Sequence, residues 1–83
     1  MLSEGDRRLL AALKDLRRKL ATDLQQPAYL VFSDRTLLEL AVKRPRNLHR
    51  MTDIHGIGQA KLGRFGQACL DVVLADGEPA GAA

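Results

Sequence analysis

Leucines at helical intervals occupy the first third of this chain, and they leave it little freedom in what to fold into. Leu9, Leu13, Leu16, Leu20 and Leu24 follow at steps of four, three, four and four residues. That spacing holds them on one face of a helix with about 3.6 residues per turn. Arg7, Lys14, Arg17, Arg18 and Lys19 fall mostly off that face. A helix is predicted over residues 6–25. Ser3 or Asp6 can cap its orphan amides, and Pro27 stops it, since proline cannot continue a helical hydrogen-bond ladder. The stripe must be covered, and with 83 residues only one small domain is available to cover it. A chain of this size buries only about 60–65% of the surface it exposes when unfolded. Almost every aliphatic side chain is therefore needed for a single core, with little left to wall a deep pocket.

After Pro27 comes Ala28-Tyr29-Leu30-Val31-Phe32, the one strand-like run in the sequence. A lone strand has no partner for its N–H and C=O groups. The run is read as an extended or single-turn (3₁₀) connector whose Leu30, Val31 and Phe32 point inward. Ser33-Asp34 offers the next cap, and Leu37, Leu38 and Ala41 give the apolar face of a helix ending near Lys43. Arg44-Pro45-Arg46 breaks it, because the residue before proline is driven out of the α region. Asn47 caps a short helix over about 48–53 with Leu48, Met51 and Ile54 inward. Gly56-Ile57-Gly58 marks a tight turn with positive φ. A last helix, 59–75, carries Leu62, Phe65, Cys69, Val72 and Val73, with Gly63 and Gly66 expected to mark a kink or close packing. The fold class expected is all-α, a compact single-domain bundle of four to five helices over residues 6–75. Residues 1–5 form an N-terminal extension and 76–83 a flexible tail, whose Gly81-Ala82-Ala83 reads as a natural C-terminus.

One cysteine excludes an intrachain disulfide and a cysteine-based zinc site, and points to a reducing compartment. No apolar run approaches the roughly 18 residues of a membrane span, and Met1 to Arg8 lacks the apolar stretch of a signal peptide. A cytoplasmic location is expected. No phosphate-loop signature is present, and Gly56-Ile57-Gly58 lacks the third glycine and preceding strand of a dinucleotide fingerprint. His49, His55 and Cys69 fall on different elements, and the acids form no nuclease-like cluster. No intrinsic catalysis, metal, cofactor or small-molecule substrate is expected.

Charge points to binding instead. The formal charge is only +3, but residues 14–64 hold eleven bases against five acids, while residues 65–83 hold three acids and no base. A polyanion is what such a field concentrates. Lys43, Arg44, Arg46 and Arg50 make the densest basic group and suit phosphate contacts, or form a solvated loop. Gly56 and Gly58 stand before a helix carrying Lys61 and Arg64, in a stretch similar to a helix-hairpin-helix turn. Outward backbone N–H groups there would suit a phosphate; the glycines are equally explained by a sharp corner. Tyr29 either stacks on an unpaired base or packs with its hydroxyl at the rim.

Taken in order, Leu9-Leu10-x-x-Leu13-x-x-Leu16-Arg17, Pro27-Ala28-Tyr29-Leu30-Val31-Phe32-Ser33-Asp34-x-Thr36-Leu37 and Met51-x-x-Ile54-His55-Gly56-Ile57-Gly58-x-x-Lys61-Leu62-x-x-Phe65-Gly66 resemble the HRDC (helicase and RNase D C-terminal) domain over residues 7–75. The second and third blocks are most similar to the bacterial RecQ-helicase branch. Gly63 and Cys69 depart from the family pattern, at positions that bear on stability. The resemblance implies an all-helical accessory domain, without catalysis of its own, of an ATP-dependent DNA helicase acting in replication, recombination or repair. It implies weak, sequence-blind binding of single-stranded or partly single-stranded DNA at forks and junctions, close to the bacterial nucleoid. Tyr29 would stack on a base; Lys43, Arg44, Arg46, Arg50, Lys61 and Arg64 would neutralise phosphates, Arg17 and Arg18 would add to them, and Gly56 and Gly58 would present amides. Two alternatives are an RNA-binding unit of an RNase D-like exoribonuclease and a module that docks on the helicase core or a partner protein.

Overall fold

The computed structural model describes residues 2–77, and five helices account for most of them. Among these residues there is no strand, and no helix is long and apolar enough to cross a membrane. The expected tail from residue 78 onward lies outside the described residues.

Helix α1, Glu4–Leu24, starts two residues earlier than its apolar period suggests. Ser3 is the cap: its Oγ accepts from the Asp6 backbone N–H at 3.0 Å, while the Asp6 carboxylate accepts from the Ser3 N–H at 3.3 Å. The reciprocal pair satisfies two backbone donors that a helix start otherwise leaves open. Leu9 and Leu13 are wholly buried, and Leu16, Leu20 and Leu24 pack against the core from its edge. Each fully buried leucine contributes about 1.5–3 kcal/mol. Gln25 ends the helix in the left-handed region at φ 55°.

The connector is a single helical turn, α2, Ala28–Val31, entered through Pro27 at φ −60°. It drives Val31 and Phe32 into the core. Helix α3, Asp34–Lys43, is capped by Ser33, whose Oγ accepts from the Thr36 N–H at 3.2 Å. It buries Leu37, Leu40 and Ala41 and leaves Leu38 and Val42 on the outside. Leu38 is thus not part of the inward face its apolarity suggested. Helix α4, Leu48–Met51, is one turn capped by Asn47, and α5, Gln59–Gly77, closes the bundle with Phe65, Cys69, Leu70 and Val73 buried. The α5 glycines differ in role. Gly63 faces open space, whereas a side chain at Gly66 would meet Leu62 and Leu48, so α4 rests on α5 where the backbone is bare. Leu48 is half-buried against it rather than inside the core.

Two sets of polar contacts fix the long-range geometry. Thr36 Oγ1 donates to the His55 carbonyl at 2.7 Å, and Glu39 Oε1 accepts from the His55 N–H at 3.1 Å, so α3 holds both backbone polar groups of one residue of the turn. Gly56 follows at φ 85°, with Thr36 Oγ1 where a Cβ would stand. Across the molecule, Asp76 in the last turn of α5 accepts from Arg8 Nε at 3.0 Å and from Arg44 Nη1 at 3.1 Å. Arg44 also donates to the Gly5 carbonyl at 3.1 Å and lies 4.0 Å from Asp6. Asp76 and Gly77 are therefore helical, where the sequence reading placed the start of a tail.

Replacing Gly56 by Ala should lower stability by about 2 kcal/mol or more, from the left-handed φ and the collision with Thr36; the shift in urea midpoint measures it. The hydrogen bond from Arg8, reinforced by Arg44, holds the Asp76 carboxyl below its ordinary 3.8. The His55 N–H, followed by Lys43, holds Glu39 below its ordinary 4.5. Both are lowered on folding, so their stabilisation is complete above the ordinary carboxylate range and lost as pH falls through the lowered values. Asp76→Asn should lose stability at neutral pH and show a shallower further loss between about pH 5 and pH 3 than the parent, by urea denaturation followed in circular dichroism.

Candidate nucleic-acid interface

Some of the residues singled out as candidates lie near the two ends of α3, and others do not. At its N-terminal end, the α2 turn places residues about 100° apart around its axis. Burying Ala28 partly and Val31 fully therefore sends Tyr29 and Leu30 outward, to 70% and 50% exposure. Leu30 does not share the inward position the sequence suggested. Phe32, wholly buried, is the anchor of this end. Its ring meets Phe65 edge-on with centroids 5.6 Å apart, and the Lys61 ammonium lies 5.7 Å over it. Arg64 lies 4.9 Å from the Phe65 ring centroid. Arg17 Nη1 donates to the Phe32 carbonyl at 3.0 Å and to Asp34 at 2.8 Å. Lys61, Arg64 and Arg17 thus gather around the Phe32–Phe65 pair, with Tyr29 three residues before Phe32 on the outside of the α2 turn.

The C-terminal end of α3 carries the second group. Arg44 ends the helix in the left-handed region at φ 48°, and the buried Pro45 turns the chain toward α4. Lys43, Arg44, Arg46 and Arg50 surround a shallow groove of about 340 Å³, lined also by Pro45, the buried Ile54 and Asp53. The bases differ in what holds them. Lys43 pairs with Glu39 at 3.1 Å, and the half-buried Arg44 is bound by Asp76 and Asp6. Among the described residues Arg46 and Arg50 enter no ion pair. Helix α3, ten residues at about 1.5 Å each, is about 15 Å long and lies between the two groups in the chain.

The remaining candidates are placed otherwise. Arg18 pairs with Asp15 at 2.8 Å along the exposed side of α1, a contact of little energetic weight. In the glycine turn, the His55 N–H goes to Glu39 and the Ile57 N–H to the Ile54 carbonyl at 3.1 Å. The run of consecutive outward amides expected from the sequence is therefore interrupted by internal bonds. Gly56 serves the corner, and Gly58 stands in open space just before α5.

No constellation for chemistry replaces them. Among the described residues no three or more His, Cys, Asp or Glu side chains group as metal ligands. The buried Cys69 thiol is pushed up to about 12 by loss of solvent, which leaves almost no nucleophilic thiolate at neutral pH. Sequence reasoning missed the part Asp76 plays. Arg44 looks like a free base until a carboxylate 32 residues downstream is brought beside it, and nothing local in the sequence signals that partner.

The chain matches the family model of the HRDC domain over residues 6–73. It is 36% identical over 72 residues to the ATP-dependent DNA helicase RecQ of Pasteurella multocida, covering 87% of this chain and 11% of that protein. It is 40% identical over 68 residues to the ATP-dependent DNA helicase RecQ of Haemophilus influenzae, covering 82% of this chain and 11% of that protein. With the ATP-dependent DNA helicase UvrD2 of Mycobacterium tuberculosis it shares 38% identity over 71 residues, covering 86% of this chain and 10% of that protein. The chain thus spans about a tenth of the length of these relatives. Among solved structures, D. radiodurans RecQ HRDC domain 3 superposes with a TM-score of 0.86 at 30% identity, covering 93% of this chain and 100% of that one. An all-helical bundle of this shape, matched along nearly its whole length by one family model, belongs to the HRDC domain family.

Proposed function

We propose that this HRDC domain is the nucleic-acid-binding accessory module of a RecQ-like ATP-dependent DNA helicase. It binds single-stranded or partly single-stranded DNA weakly and without reading a sequence, and so directs the helicase to forks and junctions at the bacterial nucleoid. Chemistry belongs to the parent protein; the domain supplies affinity and position. The observation that carries this is the groove at the end of α3, where Lys43, Arg44, Arg46 and Arg50 converge and Arg46 and Arg50 are left without an acidic partner among the described residues. Charges of this kind release condensed counterions when they meet phosphates. Tyr29, held outward by the burial of Val31 and Phe32, offers a face for an unpaired base. Lys61 lies toward the Tyr29 end and extends the cationic track. Arg17 and Arg44 keep their structural partners and act through the shape they impose.

A second reading rests on a different observation. Leu38 and Val42 lie four residues apart on α3 and are 40% and 52% exposed, which favours docking on the helicase core or another protein. Amide resonances that shift with the isolated core, and not with an oligonucleotide, would choose it.

With about three phosphates neutralised on a single strand, raising salt from about 50 to 200 mM should weaken binding roughly 20-fold. Fluorescence anisotropy of a labelled single strand measures the slope, and a flat response removes the electrostatic mechanism. Tyr29→Ala should weaken binding by about 1–3 kcal/mol while leaving the salt slope unchanged, and unaltered affinity would remove the stacking role.

A further inference from the structure

The groove beside α4 contains more than a phosphate requires. Its lining includes the apolar Pro45 and Ile54, and its volume of about 340 Å³ is at the low end of the roughly 300–1,000 Å³ of small-molecule sites. Asp53 lines it as well, in the turn following α4. That carboxylate is not neutralised by the surrounding bases: Lys43 goes to Glu39, Arg44 goes to Asp76 and Asp6, and among the described residues Arg46 and Arg50 form no ion pair. A bare phosphate gains nothing from an apolar lining and is repelled by a carboxylate. A whole nucleotide uses all three elements.

We propose that the groove is a subsite for one unpaired nucleotide, and that Asp53 biases it toward cytosine or adenine over thymine. The base would lie against Pro45 and Ile54, with its phosphate toward Arg46 and Arg50. The exocyclic amino group of cytosine or adenine then donates to Asp53, the pairing that lets acidic side chains select cytosine in duplex grooves. Thymine has no amino group, and its ring N–H lies between two carbonyl oxygens that a carboxylate repels. An acidic peptide would meet the same repulsion from Asp53. The inference rests on the reading of the domain as a single-strand binder and adds one base-dependent contact to an otherwise sequence-blind interface.

The test is anisotropy with hexamers of dC, dA and dT at neutral pH, on the parent domain and on Asp53→Ala. The dC hexamer should bind the parent about fivefold more tightly than the dT hexamer, the size of one ordinary solvent-accessible hydrogen bond in competition with water. Asp53→Ala should bring that ratio close to one without weakening dT, whereas Tyr29→Ala should lower affinity and preserve the ratio. Equal binding of dC and dT by the parent, or a ratio that survives Asp53→Ala, overturns the inference and leaves the single-strand reading intact. Failure of all three hexamers to bind overturns that reading, and the subsite with it. Ile54 methyl resonances that move with a hexaglutamate peptide and with none of the hexamers would assign the groove to a protein partner and likewise overturn it.

Discussion

The burial of Phe32 is the constraint on which the arrangement of this domain depends. The ring is wholly enclosed, edge-on to Phe65 and under the Lys61 ammonium, and its carbonyl oxygen receives Arg17 from α1. Helices α1 and α5 therefore both take their positions from one residue. To deliver that ring, the chain after Pro27 must complete a single turn, and a single turn has an outside. Tyr29 and Leu30 occupy it. The exposure of the tyrosine is thus a by-product of core packing, achieved without a dedicated loop.

Much of this was legible in the sequence because it depends on local rules. The leucine period, the Ser33 and Asn47 caps and the two proline breaks each act over a few residues, and the helices fall close to where those rules put them. What was not legible depends on distance. Leu30 and Leu38 are apolar yet exposed, since which face of a short helix is covered depends on neighbours far along the chain. The amides of the glycine turn were expected to face outward, but Glu39 and Thr36, on a different helix, take up the peptide of His55.

The same distance effect divides the basic residues. Counted along the sequence, Arg44, Arg46 and Arg50 are equivalent. In the fold, Arg44 is clamped by carboxylates from both ends of the bundle while Arg46 and Arg50 remain unpaired among the described residues. Net charge therefore overstates the cations available to a ligand and hides where they are. A modest excess of positive charge becomes a local field only because Glu39 and Asp76 neutralise the bases that build the structure.

The Asp76 clasp has a mechanical consequence. Arg8 belongs to the opening turns of α1 and Asp76 to the closing turn of α5, and they touch. Any polypeptide joined before the one and after the other enters and leaves at a single corner. Tension along such a chain would load the clasp first and, through Arg44, would reach the C-terminal end of α3.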